Sequence, residues 1–350
     1  MVFFRNFLLF NVHYYGIIRW VIDMKLIKIL VISALCMGLL CSCGSNNSSS
    51  DTETTSSTLV PDTETSELLS EEITESAVNP LNTDRCFYGN DTGTDRTYTG
   101  LEPLELIDFS YGDSYSSDHF STEMISHSYG YAKDEKPHTI SVDFQKLFDE
   151  KNYDAVCLDD KTEEKVLYLT FDCGYENGYT AKILDTLKQK EVSAAFFCTL
   201  PQMRDNPEII ARMINEGHIV GNHSVTHPDF STLNEDQIIE ELKGFDDYIR
   251  ENFGYSSLYF RNPQGKYSEK SMRAVNELGY KAVFWSLAYA DWDLEDQKGA
   301  MYAFETVMER IHPGAVILLH SVSPDNANAL ADIIDAARER GYEFRSLEDM

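Results

Sequence analysis

From residue 166 onward, apolar and polar positions alternate between two patterns. Short runs at 166–171, 192–197, 218–220, 258–260, 282–285 and 315–319 are dominated by apolar and β-favouring residues, with a last short run at 343–344. Runs of this kind predict buried strands. Between them, 179–190, 207–216, 234–252, 268–278, 301–311 and 326–340 carry apolar residues every three or four positions, the period of a helix with one buried face. Ile183, Leu184 and Leu187 share such a face. Pro207 sits where a first helical turn tolerates it, and Gly217, Gly279 and Gly341 follow three of the helices, as helix stops do. Repeated strand–helix units of this length require a mostly parallel sheet with helices outside it. The expectation is an α/β fold whose seven strands curl into an incomplete barrel.

The pattern before residue 161 differs. Residues 1–23 are aromatic and apolar but interrupted by Arg5, Asn11, His13, Arg19 and Asp23, which suits a bilayer poorly. Met24, Lys25 and Lys28 precede an apolar stretch at 29–40 and then small residues and cysteines, the layout of a secretory signal. We therefore expect translation to start at Met24. Leu40-Cys41-Ser42-Cys43 has the form of a bacterial lipoprotein signal, with Cys43 lipidated; cleavage to a secreted protein is the alternative. Residues 44–80 hold eight acids, no Lys or Arg, and little to bury. Such a segment cannot repay its ordering entropy and reads as a disordered tether. The expected organisation is a leader and signal at 1–43, the tether at 44–80, an N-terminal extension packed on the barrel at 81–160, and the barrel at 161–350, in a monomer.

The formal net charge of −29 and the lack of a Lys/Arg cluster exclude a nucleic-acid partner. They also leave membrane attachment to the lipid alone. Of seven cysteines, Cys86, Cys157, Cys173 and Cys198 remain after the signal and the lipidated residue. Their spacing is no disulfide framework, although a Cys86–Cys157 bridge is open.

The candidate chemistry gathers at strand ends. Asp172, His223, Arg261, Asp291 and His320 all stand at or just past the C-terminal ends of predicted strands, where a barrel of this type places its active site. His223 and His227, four apart in HSVTH, can share one metal ion, and a carboxylate and a third imidazole can then move protons. That combination is the equipment of metal-assisted hydrolysis. His218 and His312 read as structural, and Tyr175, Tyr267, Trp285 and Trp292 as cavity walls, some of them stacking on sugar. Glu240 and the other helix acids read as solvated faces.

The runs TFDCG (170–174), HSVTH (223–227), RNPQG (261–265), ADW (290–292) and LLH (318–320) resemble the ordered motifs of the NodB-type polysaccharide deacetylases, carbohydrate esterase family 4. Flanking text at 127–138, 168–180, 283–292 and 312–330 is most similar to the delta-lactam-biosynthetic de-N-acetylases, which act on N-acetylmuramic acid of peptidoglycan. The resemblance implies a distorted (β/α)7 barrel. It implies Asp172 as general base, His223 and His227 as metal ligands, Arg261 as the residue that holds Asp172, and Asp291 as the residue that orients His320, the general acid. The implied substrate is a peptidoglycan strand, acted on after an amidase has removed the peptide stem. The alternatives are N-acetylglucosamine or another acetylated glycan, and a wall-binding lipoprotein with a weak site. The implied cofactor is a divalent ion, zinc first, with manganese, cobalt or magnesium as alternatives. The family's usual third ligand is replaced by Cys173, which leaves three readings: a thiolate ligand, a bystander, or a metal-poor site. A backbone N–H beside Tyr267 is the expected partner of the metal in holding the oxyanion.

Overall fold

The computed structural model describes residues 106–350. The expected leader, the tether, Cys43, Cys86 and the start of the extension lie outside the described residues.

The described chain begins with β1 (Ile125–Ser126), α1 (Thr139–Glu150) and β2 (Ala155–Val156). Then follow β3 (Val166–Cys173), α2 (Thr180–Lys190), β4 (Ala195–Cys198), α3 (Leu200–Asp205), α4 (Pro207–Asn215) and β5 (Ile219–Asn222). The series continues with α5 (Glu235–Phe253), β6 (Tyr259–Phe260), β7 (Lys266–Tyr267), α6 (Glu269–Glu277) and β8 (Lys281–Val283). It closes with α7 (Ala300–Arg310), β9 (Ala315–His320), α8 (Pro324–Glu339) and β10 (Glu343–Arg345). The helix ends are set by local chemistry. Asn234 and Gln237 form a capping box on α5, and Gly254 ends that helix in the left-handed region. Ser268 caps α6 and Ser323 caps α8.

The main sheet is parallel throughout. β3 is its centre, pairing with β9 on one side and with β4 and β10 on the other. From β4 the sheet runs through β5, β6 and β8 to β2. It then curls far enough for the chain after β8 to meet β9, where Leu318 N–H donates to Leu287 O at 2.9 Å and Ser286 N–H to Val316 O at 3.0 Å. The expected incomplete barrel is thus observed, with eight strands in the sheet among the described residues rather than seven. The added strand is β2, drawn from before residue 160. It is only two residues long and exists through its ladder to Ala282 and Val283 of β8. Helices α1 and α3 were also not expected.

β3 is buried along its whole length, and its pleat divides two cores. Leu167, Leu169, Phe171 and Cys173 pack with α2, α4, α7 and α8 in the layer outside the sheet. Val166 and Tyr168 belong to the cluster on the opposite face, with Phe148, Phe197, Val283 and Val316. Thr170 and Asp172 share that inner parity. This alternation decides which polar side chains reach the site. Outside the main sheet, β1 pairs antiparallel with β7, and Phe109, Tyr111 and Tyr115 pack on a third cluster beneath α5 and α6.

Candidate active site

Asp172 and His320 are register partners on the adjacent parallel strands β3 and β9, so both side chains leave the sheet at the same end. Arg261 follows β6 and is completely buried. Its guanidinium donates to Asp172 Oδ1 at 2.8 Å, to Thr170 Oγ1 at 2.8 Å, and to the carbonyls of Val283 at 2.8 Å and Phe284 at 3.2 Å. It lies 4.2 Å from the centre of the Phe197 ring. A planar fork with five donors suits this set of acceptors in a way a lysine does not. Burial pushes the Asp172 carboxyl up, but the Arg261 charge and the nearby His223 and His320 rings outweigh it and hold the group below its usual range. Asp172 is therefore ionised at neutral pH and able to accept a proton.

His223 Nε2 lies 3.6 Å from Asp172 Oδ2. Its Nδ1 is 2.9 Å from Arg261 O. A carbonyl only accepts, so Nδ1 carries the hydrogen and the Nε2 lone pair faces the cavity. Burial pushes this imidazole down to about 4, against the pull of Asp172. His227 is also lowered by burial, and its ring is 4.9 Å from that of His223 at 75°. Both rings are thus neutral at pH 7, the state in which imidazole binds a metal.

The two histidines meet through a turn, not through one turn of a helix. Ser224 and His227 both have left-handed backbone, at φ 71° and 59°, a conformation that costs non-glycine residues energy and needs support. Ser224 Oγ accepts from His227 N–H at 2.9 Å, and Asn222 Oδ1 from Ser224 N–H at 2.8 Å. Glu241 on α5 completes the support. Its carboxylate accepts from the backbone N–H groups of Val225 and Thr226 at 2.9 and 2.8 Å and from the Thr226 hydroxyl at 2.6 Å. The sequence reading placed the acids of this helix on a solvated face and missed this clamp. The available signal was an acid on the helix that follows a histidine loop.

On the other wall, His320 Nδ1 bonds Asp291 Oδ1 at 2.7 Å, and the His320 backbone N–H donates to Asp291 Oδ2 at 2.7 Å. Asp291 only accepts, so His320 Nε2 is turned to the cavity. Burial opposes a charge on His320, but the Asp291 carboxylate wins and the imidazole pKa is raised. A group held as an anion and a group held toward its cationic form thus face one space, which is how environment separates base from acid.

That space is a cavity of about 920 Å³, lined by Asp172, His223, His227 and His320 together with Tyr129, Tyr175, Trp285, Tyr289 and Trp292. Tyr175 and Trp292 stand at its mouth, 52% and 58% exposed, so both are free to stack on a sugar ring. Two expected residues are elsewhere. Cys173 is fully buried and packs with the outer helices, beside Cys198, its register partner on β4. It follows Asp172 on one pleated strand, so the two face opposite sides and the thiol does not join the histidines. Tyr267 is fully buried within 6.2 Å of Phe148 and 5.4 Å of Phe284 between ring centroids. It is core, and neither its ring nor its strand neighbour Ile125 faces the cavity lining.

The donor set fits a divalent ion through His223 and His227, with positions left for solvent and substrate. Among the described residues no cluster of three His, Cys, Asp or Glu side chains forms a ready ligand set. His218 and His312 serve the fold: His218 Nδ1 accepts from Ala194 N–H at 3.2 Å, and His312 Nε2 is 2.9 Å from Ser286 Oγ.

Comparison with known proteins agrees with this geometry. Residues 159–283 match the polysaccharide deacetylase family. The peptidoglycan-N-acetylmuramic acid deacetylase PdaA of Bacillus subtilis is 47% identical over 201 residues, 57% of this chain and 76% of that protein. A peptidoglycan-N-acetylglucosamine deacetylase of Bacillus cereus is 34% identical over 188 residues, 52% of this chain and 66% of that protein. The solved structure of Bacillus subtilis PdaA, a family 4 carbohydrate esterase, superposes with a TM-score of 0.63 at 42% identity, covering 65% of this chain and 97% of that one. A family 4 carbohydrate esterase from Bacillus anthracis gives 0.53 at 40% identity, covering 66% and 97%. With its curled parallel sheet and its cavity at the C-terminal strand ends, this chain belongs to the polysaccharide deacetylase family.

Proposed function

We propose that the protein removes the acetyl group from an N-acetylated sugar of peptidoglycan, with N-acetylmuramic acid that has lost its peptide stem as the preferred substrate. The observation that carries the reaction type is the opposed pair of Asp172, held ionised by Arg261, and His320, held toward its protonated form by Asp291, across two neutral imidazoles. The muramic assignment is supported by the likeness to PdaA.

An acetamide is a poor electrophile and its amine a poor leaving group, so hydrolysis needs an activated water, a base and an acid. His223 and His227 would hold a divalent ion, zinc by its preference for imidazole. Bound there, the ion supplies Lewis acidity to the acetamide carbonyl and to the attacking water. Asp172 accepts the proton of that water. Arg261 keeps the carboxylate ionised and aimed. His320 donates the Nε2 proton to the departing amine, and Asp291 stabilises the imidazolium before the transfer. Tyr175 and Trp292 seat the sugar at the cavity mouth.

An amidase acting earlier on the same strand would supply stem-free muramic acid, and loss of the acetyl group frees the amine for lactam closure. Lipidation at Cys43 and an acidic tether would place the domain near the wall. Mass spectrometry of defined wall fragments, with and without peptide stems, tests the assignment. Loss of one acetyl mass only from stem-free muramic acid is the expected result. Loss from glucosamine residues instead would replace the muramic reading, and no loss from any fragment would leave a wall-binding protein. Asp172→Asn must abolish acetate release in a folded protein; full activity in that variant removes the base assignment.

A further inference from the structure

Behind His320 a chain of hydrogen bonds runs through buried side chains and ends at Tyr289. Asp291 Oδ1 holds His320 Nδ1. Asp291 Oδ2 takes the His320 backbone N–H and also the side-chain amide of Asn326. The same amide nitrogen lies 3.2 Å from His320 O. Asn326 Oδ1 receives the hydroxyl of Tyr289. Asn326 is fully buried and Asp291 is 1% exposed. The direction of every bond follows from the partners. A carboxylate and a carbonyl only accept, so the amide nitrogen must face them, and the phenol then donates to the amide oxygen.

We propose that Asn326 is a positioning residue for the acid step: it fixes the Asp291 carboxylate in the rotamer that faces His320 Nδ1. Tyr289, a residue of the cavity lining, locks the amide in turn. The proposal rests on the reading of His320 as the general acid.

Two features separate this role from ordinary packing. Asn326 lies in the first turn of α8, where side chains often cap. That duty belongs to Ser323, whose Oγ accepts from the Asn326 backbone N–H at 3.2 Å. The Asn326 side chain is therefore free of the cap, and all of its polar atoms point at the acid–base pair or at Tyr289. Removing it also leaves in place the other charged or titratable groups near His320, which are Asp172 on β3, Arg261 after β6 and the neutral His227 in the loop after β5. Asp325 at the start of α8 and Arg310 at the end of α7, which act on Tyr289, stay as well.

Without the amide, the Asp291 carboxylate loses the constraint that keeps Oδ1 on His320 Nδ1, and its hold on the imidazolium weakens with that geometry. The lost donor alone would leave the anion more basic and pull the midpoint up, so a fall reports positioning. The test is Asn326→Ala in the full chain, read by NMR titration of the His320 ring nitrogens and by the pH profile of acetate release. The His320 midpoint is expected to fall by on the order of one pH unit, with the alkaline limb of activity following it. The turnover number should fall by about tenfold while KM holds. Tyr289→Phe should move the midpoint in the same direction by less. Asn328→Ala, on an exposed position of the same helix, should move nothing.

An unmoved or raised His320 midpoint in folded Asn326→Ala, even with a lowered melting temperature, overturns the proposal and leaves Asn326 as packing. If that variant does not fold, an unmoved midpoint in Tyr289→Phe overturns it instead. The titration needs no turnover. A protein that releases no acetate but still shows the shift therefore keeps the positioning role and loses the reaction assignment.

Discussion

Replacing Arg261 by methionine tests the electrostatics of the site most directly. The wild-type guanidinium makes four hydrogen bonds, three of them at 2.8 Å, and has no solvent exposure. Methionine fills much of the volume and supplies none of the donors. Asp172 then keeps a buried charge without the guanidinium beside it, and Thr170 and two carbonyls lose a partner. Breaking a buried pair from one side costs about 3–5 kcal/mol, a large share of the 5–15 kcal/mol that typically separates folded from unfolded protein. Urea unfolding at pH 7, followed by tryptophan fluorescence, measures it. The cost must also depend on pH. The folded pKa of Asp172 is depressed, so its stabilisation is complete above the unfolded value of about 3.9 and is lost as pH falls through the folded one. The gap between wild type and variant should therefore narrow in acid. In the variant only burial and the histidines act on Asp172, so the acid limb of activity should move up, above the ordinary carboxylate range. A loss of stability under about 1 kcal/mol, together with an acid limb that stays in place, would refute the view that Arg261 keeps Asp172 ionised.

Three other changes probe separate parts of the site. Glu241→Gln removes the charged clamp on the 223–227 loop and should weaken zinc binding by about 10–100-fold, read by isothermal titration calorimetry; unchanged affinity would mean the loop holds itself. Cys173→Ala should cost about 1–2 kcal/mol of stability and leave the preference between zinc and manganese as it was, because the thiol faces the outer helices; a shift in that preference in a competition titration would restore it as a ligand. Trp292→Ala should raise KM by roughly tenfold with little change in kcat, the signature of lost uniform binding, and a fall in kcat at constant KM would place the indole in the transition state instead.

What the sequence made visible, and what it hid, divides along the range of the interactions. Strands such as Val166–Cys173 and Ala315–His320 and helices such as Glu235–Phe253 announce themselves locally, through apolar runs, periodicity and caps. β2 carries no such signal, because two residues become a strand only by pairing with β8, far along the chain. The polar residues at strand ends were legible for the same local reason, since the topology of a parallel sheet brings all strand ends to one rim. Tyr267 misled because its burial is set by Phe148 and Phe284, which no window around it contains. Glu241 and Asn326 were hidden differently: each acts through bonds to a loop or a strand end that precedes its helix, and a polar residue on a helix looks the same whether it meets water or a carboxylate.

Cys173 is the instructive case, because its placement needed no long-range knowledge. With Asp172 assigned to the cavity, the period of two on β3 sends Cys173 to the opposite face for as long as the strand stays regular. It does stay regular: Asp172 and Cys173 pair in step with Phe197 and Cys198 of β4. A motif comparison aligns the thiol with a metal ligand by position, whereas the pleat assigns it by direction, and direction decides what a side chain can touch. The same rule on β4 sends Phe197 inward to lie against Arg261 and Cys198 outward to meet Cys173. The inner side of these two strands thus presents one carboxylate, one hydroxyl and an aromatic face to a single guanidinium, and the proposed metal ligands are left to the loop after β5, where left-handed turns and the Glu241 clamp set the direction of the histidines.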